Sequence, residues 1–279
     1  MAITTSMIKE LRDATSMGIN DCKKALEQTD GDFDAAVKIL REKGAAIATK
    51  RASKEANEGV VAANVSADAQ HGALIEVNCE TDFVTRNEAF QAFAEELRLE
   101  SLNYETGKMA EGVNEKVEAQ MASIGEKIMF RRNVKWDVDG IGAITSYIHL
   151  GGKVGVLVEV SCEKAESIKN PVFQELSKDL TLHVAAAAPQ YLTRDQVPAT
   201  LVEEEKDIAR KQLEGKPENI IDNILVGKIN KFYSQICFVD QGFVKDDKVS
   251  ITSLLEEKGK ELGDKLTVKR YVRYQLGGI

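Results

Sequence analysis

The chain carries two copies of one unit, and this duplication limits its possible folds more than any other feature. Residues 59–97 recur without a gap at 142–180, an offset of 83. Gly59, Gly72, Leu74, Glu76, Val77, Cys79, Glu80, Asn87, Phe90, Gln91 and Leu97 return as Gly142, Gly155, Leu157, Glu159, Val160, Cys162, Glu163, Asn170, Phe173, Gln174 and Leu180. Two copies of a scaffold need the same core residues, so a segment that diverges is free of that duty. After the shared Cys-Glu, one copy reads Thr81-Asp82-Phe83-Val84 and the other Lys164-Ala165-Glu166-Ser167. A copy-specific function is expected there.

Within each copy the hydrophobic period changes from two to that of a helix. Ile75, Val77 and Cys79 alternate with Leu74, Glu76 and Asn78, and Val158, Val160 and Cys162 repeat the pattern. Such alternation predicts a strand with one buried face. Residues 59–65 and 142–148 supply a preceding strand, with turns at His71-Gly72 and at Leu150-Gly151-Gly152. Phe90, Phe93 and Leu97, matched by Phe173, Leu176 and Leu180, fall at i, i+3, i+7 and predict a helix. A sheet covered on one face by a helix suits both copies. Cys79 and Cys162 then sit on matching inward faces.

A third matching segment closes each unit. Residues 125–136 align with 263–274 at an offset of 138, so the second copy carries 55 extra residues, the difference between 138 and 83. Arg131, Arg132, Lys269, Arg270 and Arg273 on these last strands are expected on a solvated outer side. The surplus holds a helical hairpin at about 197–234. Leu201, Val202, Ile208 and Leu213 lead to a turn at Gly215-Lys216-Pro217, and Ile221, Leu225, Ile229 and Phe232 return. Two helices projecting from a sheet cannot bury both stripes alone, which implies an interface.

Ahead of the repeat, residues 4–44 predict three short helices. Thr4 to Ser6 caps the first, Asn20 or Asp21 the second and Asp32 the third, which ends at Gly44. Leu11, Cys22, Ala25, Leu26, Phe33, Ala36, Val37 and Leu40 are their apolar positions. Residues 48–58 have almost no apolar content and read as a basic, polar linker. The remaining boundaries follow: 1–47 a helical domain, 59–139 the first core half, 140–180 with 263–276 the second, and 181–262 an insertion.

Bulk properties narrow the function. At 279 residues about two domains are expected. The net charge of −8 argues against direct nucleic-acid binding. No apolar run reaches the roughly 20 residues of a membrane helix. Four scattered cysteines without a CxxC pair suggest a reducing compartment, the cytoplasm. His71, His149 and His183 share no ligand spacing, so no metal site is expected. The absence of a GxxxxGK[ST] loop and of a paired nucleophile and base predicts neither a cofactor nor an enzyme.

Several stretches together resemble the bacterial-type elongation factor Ts family. Ile8-Lys-Glu-Leu-Arg-Asp-Ala-Thr15 followed by Gly18-Ile-Asn-Asp-Cys-Lys-Lys-Ala-Leu26 is similar to the family's first signature, and Glu76-Val-Asn-Cys-Glu-Thr-Asp-Phe-Val84 to its second. Ser146-Tyr-Ile-His149 with Gly151-Gly-Lys-Val-Gly-Val-Leu-Val158 resembles a third. The likeness implies an α+β fold: an amino-terminal ubiquitin-associated-like three-helix domain, then a duplicated core of two antiparallel-sheet-plus-helix halves, the second bearing the inserted hairpin. It implies that the chain acts on elongation factor Tu. Thr81, Asp82, Phe83 and Val84 would enter the GTPase and dislodge Mg²⁺ so that GDP leaves. Leu11, Arg12, Gly18, Ile19, Cys22, Lys23 and His149 would make further contacts. The hairpin would support a homodimer or a two-plus-two complex. Some members continue into a carboxy-terminal helix, a contact expected to be missing after Ile279, and Gly242 stands where many have Pro. An adaptor that merely recruits partners is the alternative. For Asp82 and Phe83 alone, a helix cap and a core aromatic form the bland reading, which the missing counterpart in the second copy weakens.

Overall fold

The computed structural model describes residues 3–15, 17–51, 53–213 and 218–278. Three helices come first: α1 (Thr5–Thr15), α2 (Ile19–Gln28) and α3 (Phe33–Arg51). Thr4 Oγ1 accepts the Met7 amide and Asp32 Oδ1 that of Ala35, as capping requires. The second helix departs from expectation, because Gly18, not Asn20 or Asp21, is its N-cap. The third does not end at Gly44. It runs on to Arg51, through what reads as linker, because Gly44 lies against α6 (Met109–Ile124), where an added Cβ would sit 3.4 Å from that of Ala122.

The first copy forms β1 (Glu58–Val65), β2 (His71–Cys79), α4 (Asp82–Thr85), α5 (Glu88–Glu100), α6 and β3 (Ile128–Asp137), with sheet order β1-β2-β3. The second forms β4 (Gly142–His149), β5 (Val154–Ser161), α7 (Pro171–Ala187), α8 (Ala199–Lys211), α9 (Glu218–Ile236), a β6 (Gly242–Phe243) and β7 (Asp246–Ser250) hairpin, α10 (Ile251–Leu262) and β8 (Thr267–Gln275). Its main sheet has the order β4-β5-β8, and the pairings among these named strands are antiparallel. The class is therefore α+β. His71-Gly72 opens β2, the reversal falling at 66–70 instead, whereas Leu150-Gly151-Gly152 is a turn. The expected turn at Gly215–Pro217 lies outside the described residues. Ile208 is exposed, and Ala209 takes the inward place between α8 and α9.

The central strand β2 is buried from Gly72 to Cys79, so the expected single buried face is corrected to two. Ile75, Val77 and Cys79 pack under α5 and α6. On the other face Val61, Leu74 and Val134 meet Ile144, Leu157 and Tyr274 of the second sheet. The layers are helix, sheet, sheet, helix. The equivalent glycines Gly72 and Gly155 permit this approach. A Cβ on Gly72 would lie 2.5 Å from Ile144 Cγ2, and one on Gly155 2.4 Å from Val61 Cγ1.

The two sheets are also exchanged electrostatically. Glu76 and Glu159 are buried on the inner strands, each beside a β-bulge at the same place in its copy. Arg132 Nε donates to Glu76 at 2.7 Å and Arg270 Nε to Glu159 at 2.6 Å. Each guanidinium then reaches the other sheet: Arg132 donates to the Gln275 carbonyl and stacks 4.1 Å over Tyr274, while Arg270 donates to the Asp137 carbonyl and stacks 4.5 Å over Trp136. The second oxygen of Glu76 accepts the Gly277 amide, that of Glu159 the Asp139 amide. The solvated face expected for these arginines is thus corrected. Arg131 and Arg273 are held by the carbonyls of Gly278 and Ala185, and only Lys269 is exposed. A carboxylate with no access to water needs a partner charge and further hydrogen bonds, and these strands supply both.

The insertion is pinned to α7 by His183, which is fully buried. Its Nδ1 accepts the Val244 amide at 3.2 Å, which puts the ring proton on Nε2, facing Gln241 Oε1 at 2.9 Å. Phe238 and Phe243 flank the ring at 5.5 and 6.3 Å. Burial holds its pKa below 6.5, against the opposing Gln241 hydrogen bond. The folded value lies under the unfolded one, so the stabilisation is complete above that value and drains away as pH falls below it. We expect the denaturant midpoint to drop between about pH 7.5 and pH 5.5, and to drop less in His183→Gln. Equal drops in the two proteins would remove His183 from the account.

Candidate protein-binding site

The segment that diverges between the copies forms α4, a single turn between β2 and α5. Thr81 is its N-cap residue, with an extended backbone. Below it everything is anchored. Val84 is buried in the core under α5 and α6, the Cys79 thiol donates to the Thr81 carbonyl at 3.2 Å, and Thr81 Oγ1 donates to Glu126 at 3.0 Å. Thr85 Oγ1 closes the turn on the Asp82 carbonyl at 2.6 Å. Above it, Asp82 is half exposed and pairs with Arg86 at 3.2 Å. Phe83 is 77% exposed. The reading of Phe83 as a core aromatic is therefore ruled out. Leaving such a ring in water forfeits about 1.5–3 kcal/mol of burial, a cost that makes sense where another surface will cover it. In the second copy Glu166 occupies the place of Phe83.

Glu80, one residue before the cap, fixes the root of α4. Both of its oxygens accept from Arg51 Nη1 at 2.9 Å, and Oε1 also accepts the Lys127 amide at 2.7 Å, at the foot of β3. Burial works against its charge, but the amide and the guanidinium outweigh burial and leave its pKa below the ordinary carboxylate range. Sequence reasoning missed this residue. Glu80 and Glu163 match between the copies, a mark of scaffold, and nothing in the sequence pairs Arg51 with one of them.

The remaining candidates divide by exposure. Leu11 and Cys22 are wholly buried among α1–α3, beneath the exposed positions of the same signature. Arg12, Gly18, Ile19 and Lys23 are exposed, Ile19 by 57%. His149 is exposed at the end of β4, its Nδ1 2.9 Å from the Tyr147 hydroxyl. The turn after it presents Leu150, 71% exposed at a left-handed φ of 49°, a position whose sequence marks only a turn. That turn and α4 flank one groove of about 350 Å³, lined by Val60, Thr85, Arg86, Gln91, Gly151 and Lys153. The fold thus brings the neighbourhoods of Phe83 and His149 together. Among the described residues no group of three His, Cys, Asp or Glu side chains could hold a metal, and no helix is long and apolar enough to cross a membrane.

The segment carrying this surface is shared with known proteins. Residues 80–278 match the family model described as Elongation factor TS. Over 291 aligned residues the chain is 44% identical to elongation factor Ts of Trichlorobacter lovleyi, covering 99% of this chain and 93% of that protein. The chain belongs to the elongation factor Ts family. It is also similar to elongation factor Ts of Clostridium botulinum, at 42% identity over 287 residues (99% of this chain, 93% of that one). Against elongation factor Ts of Nitratidesulfovibrio vulgaris the identity is 41% over 279 residues, covering 99% and 96%. Membership places the chain in translation elongation, among the exchange factors. Within the elongation factor Ts match, α4 lies at the very start, rooted on Glu80.

Proposed function

We propose that this chain binds elongation factor Tu carrying GDP and promotes GDP release, with Phe83 and Asp82 of α4 entering beside the magnesium–nucleotide site. The observation that carries the reading is Phe83: an aromatic ring 77% exposed on a turn whose base is buried, in the copy that diverged. Mg²⁺ demands near-ideal octahedral geometry and bridges nucleotide to protein, so displacing a ligand by a fraction of an ångström loosens both. The exchange factor performs no bond chemistry. It needs to bind the nucleotide-free state more tightly than the GDP state, and linkage makes the two ligands antagonists. Arg12, Gly18, Ile19 and Lys23 on the three-helix module, and His149 with its turn, extend the contact. Ile208 and Val226, exposed on α8 and α9, suit the hairpin to an interface with a second copy or with the GTPase. A cytoplasmic address accompanies this reading, since Cys22, Cys79, Cys162 and Cys237 are all free and buried.

The test is release of fluorescent GDP from purified elongation factor Tu, with and without this protein, across a Mg²⁺ titration. Acceleration that shrinks as Mg²⁺ rises is expected. Binding without acceleration at any Mg²⁺ concentration would instead make the chain an adaptor.

A further inference from the structure

Resting on that reading, we propose that Arg51 and Glu80 form a positioning clamp, which fixes the three-helix module to the root of α4 so that Ile19 and Phe83 meet the partner as one rigid two-point binder. Arg51 is the last residue of α3 and Glu80 immediately precedes the cap of α4. Both glutamate oxygens lie 2.9 Å from the same guanidinium nitrogen, and the Glu80 side chain is only 15% exposed. A charge-assisted contact is about twice as strong as a neutral hydrogen bond, and it draws the end of α3 onto the root of α4.

α3 packs along α6, with Gly44 close against Ala122, and a cleft of about 390 Å³ opens beside that seam, lined by Thr15, Met17, Arg41, Glu115, Lys116 and Ala119. Arg51 lies seven residues beyond Gly44, about 10 Å further along the axis, and ties the end of the helix to the root of α4. The second copy supplies an internal control. Glu163 stands where Glu80 does, yet it is exposed and makes no ion pair among the described residues; its own turn is tied by Asp264, which accepts the Glu163 and Lys164 amides and the Ser167 hydroxyl. The ion pair therefore occurs in the copy that carries Phe83. Binding through two sites held in fixed register saves the cost of aligning the second after the first has docked.

The experiment uses the full chain and elongation factor Tu loaded with fluorescent GDP, titrating Arg51→Ala, Arg51→Lys, Ile19→Ala and Phe83→Ala. Arg51→Ala leaves the Glu80 bond to the Lys127 amide in place. Its half-saturating concentration is expected to rise about tenfold while the maximal release rate stays within about twofold of wild type. Arg51→Lys should recover part of the loss. The penalty of Ile19→Ala should shrink in the Arg51→Ala background, because the two sites are no longer in register. In the free protein, amide hydrogen exchange at 44–51 and 81–85 should speed up in Arg51→Ala while α5 is unchanged, a readout available with Arg51→Lys should the alanine variant not fold. Arg51→Ala titrating like wild type, an undiminished Ile19→Ala penalty, or unchanged exchange would overturn the clamp. If Phe83→Ala retains the wild-type rate, the wedge falls and the clamp with it. If Phe83→Ala is slow but Arg51→Ala is normal, the wedge stands and only the clamp is lost.

Discussion

Phe83→Ala is expected to cut the acceleration of GDP release by roughly 30- to 700-fold at saturating protein, and to leave the melting temperature where it was. A central aromatic anchor at an interface is worth about 2–4 kcal/mol on truncation, and each 1.4 kcal/mol is a factor of ten. The separation of effects follows from position. The ring touches little of its own chain, being 77% exposed, while Val84 beside it keeps α4 seated in the core. Asp82→Ala should fall between wild type and Phe83→Ala, since Asp82 also steadies Arg86 at the surface. Stopped-flow traces with fluorescent GDP measure both. A Phe83→Ala protein that exchanges nucleotide at the wild-type rate would end the wedge mechanism, whatever the fate of the family assignment.

Arg270→Ala should produce the largest loss of stability of any single change considered. Removing it strands Glu159, 1% exposed, with the Asp139 amide as its remaining hydrogen bond. Breaking a buried ion pair by deleting one partner costs about 3–5 kcal/mol, and the lower end applies because the Arg270 side chain is 39% exposed and water can enter. A loss of about 3 kcal/mol corresponds to a fall in Tm of about 6–12 °C for a chain of this size. Arg132→Ala should cost less, for although Arg132 makes the same three contacts in the opposite sense, Glu76 keeps Arg131 at 3.8 Å, the Gly277 amide and the Asn78 side-chain amide. Glu159→Gln should be milder, as a neutral amide needs no counter-charge. Urea denaturation of the three variants decides the matter. A loss below about 1 kcal/mol in both arginine variants would show that the exchanged pairs add nothing to the union of the sheets.

The strands, the packing helices and the hairpin were legible because each is a local pattern of apolar residues. What escaped was long-range. The alternation around Ile75, Val77 and Cys79 gives one face of β2 correctly, but Leu74 and Glu76 are buried too, by a partner sheet that periodicity does not announce. Two signals could have shown it: leucine, not a polar residue, at both Leu74 and Leu157, and the paired glycines at Gly72 and Gly155, which make little sense in a strand facing water. Arg132 and Arg270 look like solvated cations until the bulge beside Glu76 or Glu159 is known. In the three-helix module Gly44 reads as a helix stop when its real service is close packing on Ala122. Leu11 and Cys22 share a signature with the exposed Ile19 and Lys23, and a signature does not separate buried positions from exposed ones. The divergence at Thr81–Val84 was more instructive: it marked where the copies part, though not that Phe83 points out and Val84 in.

Strand order also sets a schedule for synthesis. β5 is flanked by β4 on one side and by β8 on the other, so Ser161 must wait for Thr267 to be made before its second ladder can form. Until then β5 is an edge strand of valine and leucine, the kind of surface that recruits stray chains. Glu159 meanwhile lacks Arg270, and Glu76 lacks the Gly277 amide. The first half can assemble its three strands while the ribosome is still translating the insertion; the second cannot. A protein of translation elongation thus depends on a strand made long after β5 to complete its second sheet.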